Sequence, residues 1–577
     1  MRARPHYQWR VAPEQPVLAQ HLSREIGISQ LLAQCLLNRG LSEVEAIGRF
    51  LDPRLKHLAD PFLLPEMAAA VDRLFAARGG EESLVIFGDY DVDGVTATAL
   101  LTEALNALGW KASYYLPHRM DEGYGLSQAG VENCLGQCAV TLILAVDCGS
   151  TAAEPIAFLK SRAIDTIVLD HHQVCDPPPG TVALVNPQRA KAEERSFREL
   201  CSVGVAFKLL HALVKRGRER GLQEFLEFDV RPFLDLVALG TIADVVPLVG
   251  ENRILVTRGL DRLNHTTRAG LIALRDVAGI RGRIGSYEVG FQLAPRLNAA
   301  GRLENALDAL QLLLARDAAQ ARALAAKLDA QNRERQQIEK SIVAELTEVV
   351  RQNFDAARDF VLVHGDASWH IGVVGIVAAR VLQEFYRPTI IFGGDGQHWR
   401  GSGRSIEGFD LGGALKECSG LLVKHGGHAM AAGASILPEK VETFRQRLNE
   451  VAARTLGHGK LQPWLNVDAE ASLAELTVER ARELERLQQT GVGNPPVQFC
   501  VRAVTHHRPL ERFGPDKRHV RMRIASAGVV REAVLWNGGN GDLPVGEFDL
   551  ACTPQLNHYE GSTSVRLKVL DWRAPAS

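Results

Sequence analysis

Three aspartates at every second position, Asp89, Asp91 and Asp93, end the apolar run "LVIFGDYDVDG". At the mouth of a buried strand each repels the next, so some members must stay protonated or share a cation. Two apart on an extended segment, Asp91 and Asp93 would share one side, and Gly94 would turn the chain into a helix starting near Val95. Two further apolar runs end in related chemistry. "TLILAVDCGS" reaches Asp147, and "DTIVLDHH" reaches Asp170, His171 and His172. A single strand-end aspartate is ordinarily a turn or helix-cap residue, and Asp93-Gly94 before a helix reads that way on its own. A lone pair of histidines is ordinarily a surface or core pair. Three such strand ends together point instead to divalent cations. Oxygen donors with one or two imidazoles suit Mn²⁺ or Mg²⁺ better than structural zinc, which favours thiolates.

The elements that must position these groups are legible as patterns. "SLVIFGD", "TLILAVD", "DTIVLDHH" and "TVALVNP" are short, nearly continuous apolar runs, and segments of helical length, such as Val95 to Leu108, separate the first three. That pattern predicts a parallel sheet buried on both faces with βα connections. In such sheets ligands bind beyond the carboxyl ends of the strands, where carboxylates from separate strands converge. "RPFLDLVALGTIADVVPL" spaces Leu234, Val237, Ala238 and Ile242 as a helix ending near Asp244.

Between Arg302 and His364 there is no Gly or Pro, and "DAQNRERQQ" is polar all round. A long helix with a polar waist predicts a solvent-bridging connector between two bodies. A second α/β unit follows in "DFVLVHGD", "GVVGIVAARVLQEFY" and "RPTIIFGG". Beyond about residue 460, "HVRMRI" and "VRLKVL" alternate apolar with basic side chains, which predicts a small antiparallel barrel with one cationic face. The expected class is thus α/β multidomain. A helical and loop segment spans 1–65, a parallel-sheet catalytic domain 66–310 and a connecting helix 311–355; a second α/β domain spans 356–456 and a β-barrel 460–577.

Composition sets outer bounds. The 577 residues allow three or four domains, and 66 Lys plus Arg against 68 Asp plus Glu give a net charge of −2. A uniformly basic nucleic-acid coat is excluded; a local basic track is not. Nine cysteines form no CxxC pair, and the nearest two, Cys134 and Cys138, read as reduced structural thiols. No apolar run reaches the ~20 residues of a membrane span, and the N-terminus lacks the apolar core of a signal peptide. These readings predict a cytoplasmic protein without a membrane segment.

The motifs resemble the DHH phosphoesterase superfamily, named for the triplet present here as Asp170-His171-His172. "GDYDVDG", "VDCGS" and "LGTIADVVPL" are similar to its other motifs. "LPHRMDEGYGLS", "NPQRAKAEERSFRELCSVGVAFKL", "GENRILVTRGL", "LAPRLNAAGRLENA", "WHIGVVGIVAAR", "GSGRSIEGFDL" and "KHGGHAMAAG" narrow the resemblance to the RecJ family within it, bacterial single-strand-specific 5′→3′ DNA exonucleases. Two departures show: Cys148 stands where relatives commonly carry Asn, and "QQTGVGNPPV" lacks an aromatic usual before its Gly.

The resemblance implies two ions, Mn²⁺ or Mg²⁺. Asp89, Asp91 and Asp147 would hold one; Asp93, Asp147, His171 and Asp244 would hold the other, with Asp147 shared. His172 would sit beside the scissile phosphate and Arg302 against it. Arg119, Ser402 and Arg404 would cradle a 5′-terminal phosphate, and His428 would face the substrate from a Gly-rich loop. It also implies a DHHA1-like second domain, an OB-fold-like barrel, and metal-assisted hydrolysis of single-stranded DNA to mononucleotides in recombination and repair. Single-strand-binding protein and a helicase are the implied partners, and a monomer the expected state.

Seven Lys or Arg between Arg502 and Arg523 face two acidic residues there. They predict a salt-sensitive track for a single strand, with Phe513, Trp536 and Tyr559 as stacking candidates. A DHH phosphatase for short nucleotides is the competing reading, and the long connector and basic barrel argue against it. A catalytically dead binding scaffold would have lost metal ligands, which are all present.

Overall fold

The computed structural model describes residues 7–118, 121–123, 125–191, 197–394, 396–457, 461–539, 541–559 and 561–575. Two compact units divide the chain. One comprises Glu45–Arg333 and Leu487–Pro495; the other takes the chain up to Val44, Glu334–Arg486 and Pro496 onward.

The first unit is built on five parallel strands: β1 (Ser83–Phe87), β2 (Lys111–Tyr115), β3 (Leu142–Val146), β4 (Asp165–Leu169) and β5 (Ala183–Val185). Their spatial order is β2-β1-β3-β4-β5. Alternate residues of each strand enter different cores. Leu84, Ile86, Leu142, Leu144, Ile167 and Leu169 join the larger cluster, while Val85, Phe87, Ile143, Ala145 and Val168 join a smaller one. Burial on both faces explains why the strands read as unbroken apolar runs. Each such side chain contributes about 1.5–3 kcal/mol when removed from water. Strand β2, "KASYY", was not legible as a strand, because its half-exposed edge carries no apolar run.

Helices α1 (Val92–Ala107), α3 (Ser202–Glu219) and α4 (Leu234–Ala243) pack into the larger core, and α2 (Ala153–Ser161) sends Ile156 and Leu159 into the smaller one. Nearly every residue of α1 is buried, which is why the segment shows little amphipathic pattern. α1 begins at Val92, earlier than its apolar spacing suggests, and Asp91 is its cap, accepting from the Gly94 N–H at 3.1 Å. Gly94 is therefore not a turn. It lies in the first helical turn, where an added Cβ would come within 2.7 Å of the Asp89 carbonyl oxygen.

Helix α5 (Gly250–Leu263) carries the "GENR" stretch. Glu251 accepts from the Ala59 N–H at 2.7 Å and pairs with the buried Lys208 ammonium at 3.0 Å. Helix α6 (Ala294–Leu303) follows, then the long helix α7 (Ala318–Asn353), inside which the division between the units falls. The polar waist of α7 is solvated on one face only, where Arg333, Glu334 and Gln337 are exposed. Asp329, Gln331, Asn332, Arg335 and Glu339 are buried. Asp329 meets Arg296 at 2.9 Å, Gln331 meets Glu304 at 2.7 Å, and Arg335 meets Glu339 at 2.9 Å. Paired polar groups tolerate burial that unpaired ones would not.

In the second unit, β6 (Leu362–Asp366), α8 (Val374–Phe385), β7 (Thr389–Gly393), β8 (Trp399–Arg404), β9 (Lys424–Gly427) and β10 (Ala431–Ile436) form a mixed sheet ordered β9-β10-β8-β7-β6, with α8 between β6 and β7 in the chain. The C-terminal strands β11 (Phe499–His506), β12 (His519–Ser526), β13 (Val529–Leu535), β14 (Phe548–Tyr559) and β15 (Ser562–Arg573) pair as β11-β12-β13-β15-β14-β11. That circuit closes a five-stranded barrel of the OB type. The N-terminal preface contains more than helix and loop: Gln8–Val11 is a strand paired in parallel with Trp464–Val467.

The Lys208–Glu251 pair yields a stability test. Glu251→Leu leaves a buried ammonium uncompensated, so urea unfolding of the first unit should shift by about 3–5 kcal/mol. An unchanged midpoint would show that the pair carries no such penalty.

Candidate functional site

The spatial order of the parallel sheet reverses between β1 and β3, and the carboxyl ends of those strands open a crevice there. Asp89 and Asp91 leave β1, Asp93 lies in the first turn of α1, Asp147 follows β3, and Asp170, His171 and His172 follow β4. Asp244 is the C-terminal cap of α4. The expectation that Asp91 and Asp93 share one side of an extended segment does not hold, because the helix starts between them.

These groups converge. One donor atom each of Asp89, Asp91 and Asp147 lie within 4.8 Å of one another, as do those of Asp147, His171 and His172. His171 Nε2 is 3.5 Å from Asp244 Oδ2, 3.6 Å from Asp147 Oδ1 and 3.9 Å from Asp93 Oδ2. Such gaps are too long for hydrogen bonds. They match the roughly 3–4 Å between donors each about 2.1 Å from one octahedral ion. Among the described residues, His171 Nε2 and Asp244 Oδ2 are buried without a hydrogen-bond partner. Buried polar atoms are seldom left so, and a divalent cation would satisfy both. The donor set, carboxylates with imidazole, fits Mn²⁺ or Mg²⁺.

Residues outside the predicted set hold this cluster in place. The Ser202 and Val203 N–H groups, at the start of α3, donate to the two oxygens of Asp93 at 2.7 and 2.8 Å. A helix N-terminus favours an anion there. Ser202 Oγ donates to Asp147 Oδ1 at 2.9 Å. Asp147 itself has φ of 63°, a left-handed backbone that a non-glycine residue keeps only when its surroundings enforce it. Asp170 accepts from the backbone of Ser150, His171 and His172 and lies 2.7 Å from His172 Nδ1. Asn186 Nδ2 donates to the His172 carbonyl at 2.9 Å. The sequence signal for Ser202 is a small polar residue opening an apolar helix, which by itself says nothing of what lies opposite.

The two cysteines near the cluster differ. Cys148 Sγ points to the Phe87 carbonyl, 3.9 Å away, within the smaller core. Cys201 Sγ lies within 4.8 Å of donor atoms of Asp93 and Asp244 but approaches Thr241 Oγ1 at 3.4 Å. Burial pushes both thiols well up in the metal-free cluster.

Arg302 follows Gly301 on α6, where an added Cβ would come within 2.7 Å of the Tyr90 carbonyl oxygen. Asn298 Oδ1 on the same helix accepts from the Val92 N–H at 3.2 Å. These two contacts place Arg302 beside the aspartate loop. Arg119 lies outside the described residues.

In the second unit, Arg404 Nη1 donates to Ser402 Oγ at 3.0 Å and to the Gly403 carbonyl at 2.8 Å. Burial lowers the pKa of this guanidinium, and among the described residues no carboxylate pairs with it. An added Cβ on Gly375, in the first turn of α8, would lie 2.9 Å from Ser402 Oγ and 3.3 Å from Arg404 Nη2. A half-buried cation facing a helix N-terminus could hold an anion. His428 is exposed in the tight turn between β9 and β10, its N–H donating to the Ala431 carbonyl at 2.8 Å.

The basic track on the barrel is narrower than its charge count. Arg502 is tied to Glu470 and to Asp549, and Arg521 lies against Glu511 and Glu532. Exposed Arg508, Arg512, Lys517, Arg518 and Arg523 remain. Phe513, His519 and Trp536 cluster with ring centroids 4.8–5.8 Å apart, the Arg521 guanidinium over Phe513. Tyr559 is exposed at the end of β14.

Burial and mutual repulsion raise the carboxylates. Burial, then Asp91, pushes Asp93 up to about 7; burial, then Asp93, pushes Asp244 to about 9; Asp147 is also well above the usual range. Burial and the neighbouring His172 push His171 down to about 4. Burial disfavours the His172 cation, but the bond to Asp170 and the charges of Asp170, Asp244 and Asp91 together outweigh that and lift it to about 9. For Asp170 the order reverses: burial raises it, and His172 brings it down overall. Groups with a raised folded-state pKa lose their stabilising contribution as pH climbs from the unfolded value to the folded one. For Asp244 and His172 those ranges overlap between about pH 6.5 and 9. The melting temperature of metal-free protein should therefore fall over that window. Mn²⁺ should restore it, increasingly so toward pH 9, because binding displaces protons. A flat melting profile with and without Mn²⁺ would contradict this electrostatic account.

Comparison with known proteins matches three stretches to family models: the DHH family N-terminal domain over residues 83–241, the DHHA1 domain over 358–454 and the RecJ OB domain over 467–571. The chain is 35% identical over 572 residues to the single-stranded-DNA-specific exonuclease RecJ of Bacillus subtilis, covering 98% of this chain and 70% of that protein. It is 34% identical over 557 residues to the Escherichia coli protein of the same name, covering 93% and 94%. The crystal structure of RecJ in complex with Mn²⁺ from Thermus thermophilus superposes with a TM-score of 0.84 at 30% identity, covering all of this chain and 80% of that one. Matches of this identity over nearly the whole length, in the same domain order, establish that the chain belongs to the RecJ family of the DHH superfamily.

Proposed function

We propose that the chain is a divalent-cation-dependent exonuclease that degrades single-stranded DNA from its 5′ end to mononucleotides, in DNA recombination and repair. The observation that carries the reading is the convergence of Asp93, Asp147 and Asp244 on an unpartnered His171 Nε2. Family membership supports the substrate. The Thermus thermophilus relative has been solved with Mn²⁺ and with Mg²⁺, which supports the same ions here.

In this reading Asp89, Asp91 and Asp147 hold one ion, and Asp93, Asp147, His171 and Asp244 hold the other. When bound, the two ions supply concentrated positive charge for the phosphodiester and lower the pKa of water. The chain's own groups do the rest. Asp170 keeps the His172 ring oriented and favours its protonated form, so the ring can donate to the charge that develops on the phosphate. Arg302 adds a second cation from the helix fixed against Tyr90. Arg404 and Ser402, with the start of α8, bind the 5′-terminal phosphate; the family resemblance gives Arg119 a phosphate-binding role as well. His428 faces the strand from its turn, and the exposed barrel arginines with the Phe513–Trp536 cluster retain the rest of it. Among the described residues no helix is long and apolar enough to cross a membrane. A cytoplasmic monomer working beside single-strand-binding protein and a helicase completes the proposal, on the strength of the family resemblance.

Single strands labelled at the 5′ or 3′ end, incubated with Mn²⁺ or Mg²⁺, test the activity. The 5′ label should be released at once as a mononucleotide, and blunt duplex should resist; loss from the 3′ end would sink the reading. Asp147→Asn keeps a side chain that tolerates the left-handed backbone. It should reduce turnover at least about 10²-fold while leaving strand binding in EDTA intact. Wild-type rates in that variant would refute the shared-ligand assignment. Arg404→Ala should erode the preference for 5′-phosphate over 5′-hydroxyl ends by about 10-fold or more; equal losses on both ends would argue against a phosphate pocket.

A further inference from the structure

The departure "QQTGVGNPPV" falls in a segment that belongs to the first unit although it lies far along the chain, between the helix Val478–Leu484 and β11. Its attachment is specific. Arg253, buried on α5 and stacked on Phe50, donates to the carbonyls of Leu487, Gln488 and Gln489 at 3.2, 2.7 and 3.4 Å. Ser286 Oγ donates to Gln489 Oε1 at 3.1 Å. Asn494, wholly buried, closes the segment on itself by donating to the Leu487 and Gln489 carbonyls, each at 2.7 Å. The far side of this loop lies against residues 247–249. The Leu248 N–H donates to the Val492 carbonyl at 2.8 Å. An added Cβ on Gly491 would sit 2.8 Å from Leu248 Cδ1. One on Gly493, at φ of +72°, would sit 3.0 Å from Pro247 Cβ and 3.2 Å from Val249 Cγ1.

Residues 245–249 are the stretch that leaves Asp244. Val245, next to Asp244, is 64% exposed and has φ of 63°, so this end of the turn is fixed by neither burial nor relaxed backbone, whereas Leu248 at its far end is buried in the main core. Besides that burial, two hydrogen-bonded ties reach it: the Leu248–Val492 bond and Asn252 Nδ2, which donates to the Pro247 carbonyl at 3.0 Å and also to the Glu199 carbonyl. Glu199 shortly precedes the start of α3, whose N–H groups hold Asp93. The same short network therefore reaches both Asp244 and Asp93.

We propose that Leu487–Pro495 is a positioning strap for the metal centre: it pins the turn after Asp244, and Arg253, Gly491 and Gly493 are the residues that seat it. The inference rests on the ligand set proposed above. It assigns a role to a piece of chain outside the DHH-matched region, and it explains the "GENR" stretch, in which Asn252 serves the turn and Arg253 serves the strap. None of these residues touches substrate; they act through Asp244.

The test uses the full chain. Mn²⁺ is titrated against both the melting temperature and the hydrolysis of a labelled single strand, and strand binding is measured in EDTA. Groups that orient metal ligands affect affinity by about 10–100-fold. Gly493→Ala and Gly491→Ala should each raise half-saturating Mn²⁺ by about 10-fold, with strand binding in EDTA unchanged and much of the turnover recovered at saturating Mn²⁺. Gly491→Ala combined with Leu248→Ala removes the collision and should return half-saturation toward wild type, a rescue that general destabilisation would not give. If Gly493→Ala does not fold, Ser286→Ala releases Gln489 more gently and should move half-saturation in the same direction.

Asp244→Asn serves as the reference. If it weakens Mn²⁺ binding while the glycine and Ser286 variants stay within about twofold of wild type, the strap inference is overturned and the ligand set stands. If Asp244→Asn leaves Mn²⁺ binding unchanged, the ligand set falls and the strap's role falls with it. A loss of turnover at unchanged Mn²⁺ dependence also overturns the strap.

Discussion

The first unit is organised around one electrostatic problem: six carboxylates and two imidazoles meet at the carboxyl ends of parallel strands, largely out of water. Isolated, each buried carboxylate would be neutralised by protonation. Several instead have an assigned counterweight. The opening N–H groups of α3 take Asp93, and the Ser202 hydroxyl takes one oxygen of Asp147. Three backbone N–H groups and the His172 ring take Asp170. What remains after these, His171 Nε2 and Asp244 Oδ2 among it, is the part a cation would complete.

That division has a consequence for chemistry. The protein dipoles that hold Asp93 and Asp170 are permanent, so the cluster is preorganised for positive charge before any arrives. Asp170 also separates the roles of the paired histidines. In the metal-free cluster the low-pKa Asp170 carboxylate favours the His172 cation, while burial and that neighbour disfavour the His171 cation and leave its ring able to ligate. Adjacent residues of one type thus acquire opposite protonation preferences. The arginines of the second unit follow a complementary pattern. Among the described residues no carboxylate pairs with the half-buried Arg404, and the barrel neutralises some of its arginines with Glu470, Glu511, Glu532 and Asp549 while leaving others exposed.

Much of this was legible in the residues. The strands that end in Asp89, Asp147 and Asp170 announced themselves because burial on both faces demands unbroken apolar runs. The helix ending at Asp244 kept its period, and the alternating barrel strands kept theirs: Val520, Met522 and Ile524 are buried, and Arg521 and Arg523 between them are not. Other features were illegible for identifiable reasons. Edge strand β2 lacks the double-faced burial that makes a strand visible. The "DAQNRERQQ" waist looked solvated because partners such as Arg296 and Glu304 are distant in the chain. Helix α1 starts two residues before Gly94 because Asp91 caps it, and cap geometry is decided by a hydrogen bond rather than by hydrophobic period.

The sequence by itself determined which groups could do chemistry and on which kind of element each would sit, because residue type and hydrophobic period are local properties. Tertiary structure alone decided what those groups face. That Ser202 opposes Asp93 and Asp147, that Asp170 serves His172 rather than an ion, and that residues near 490 brace the turn after Asp244 are all contacts the local pattern leaves open. Most of them join segments far apart in the chain. They follow from the packing of α1, α3 and α4 on one sheet and from the requirement that every buried polar group find a partner.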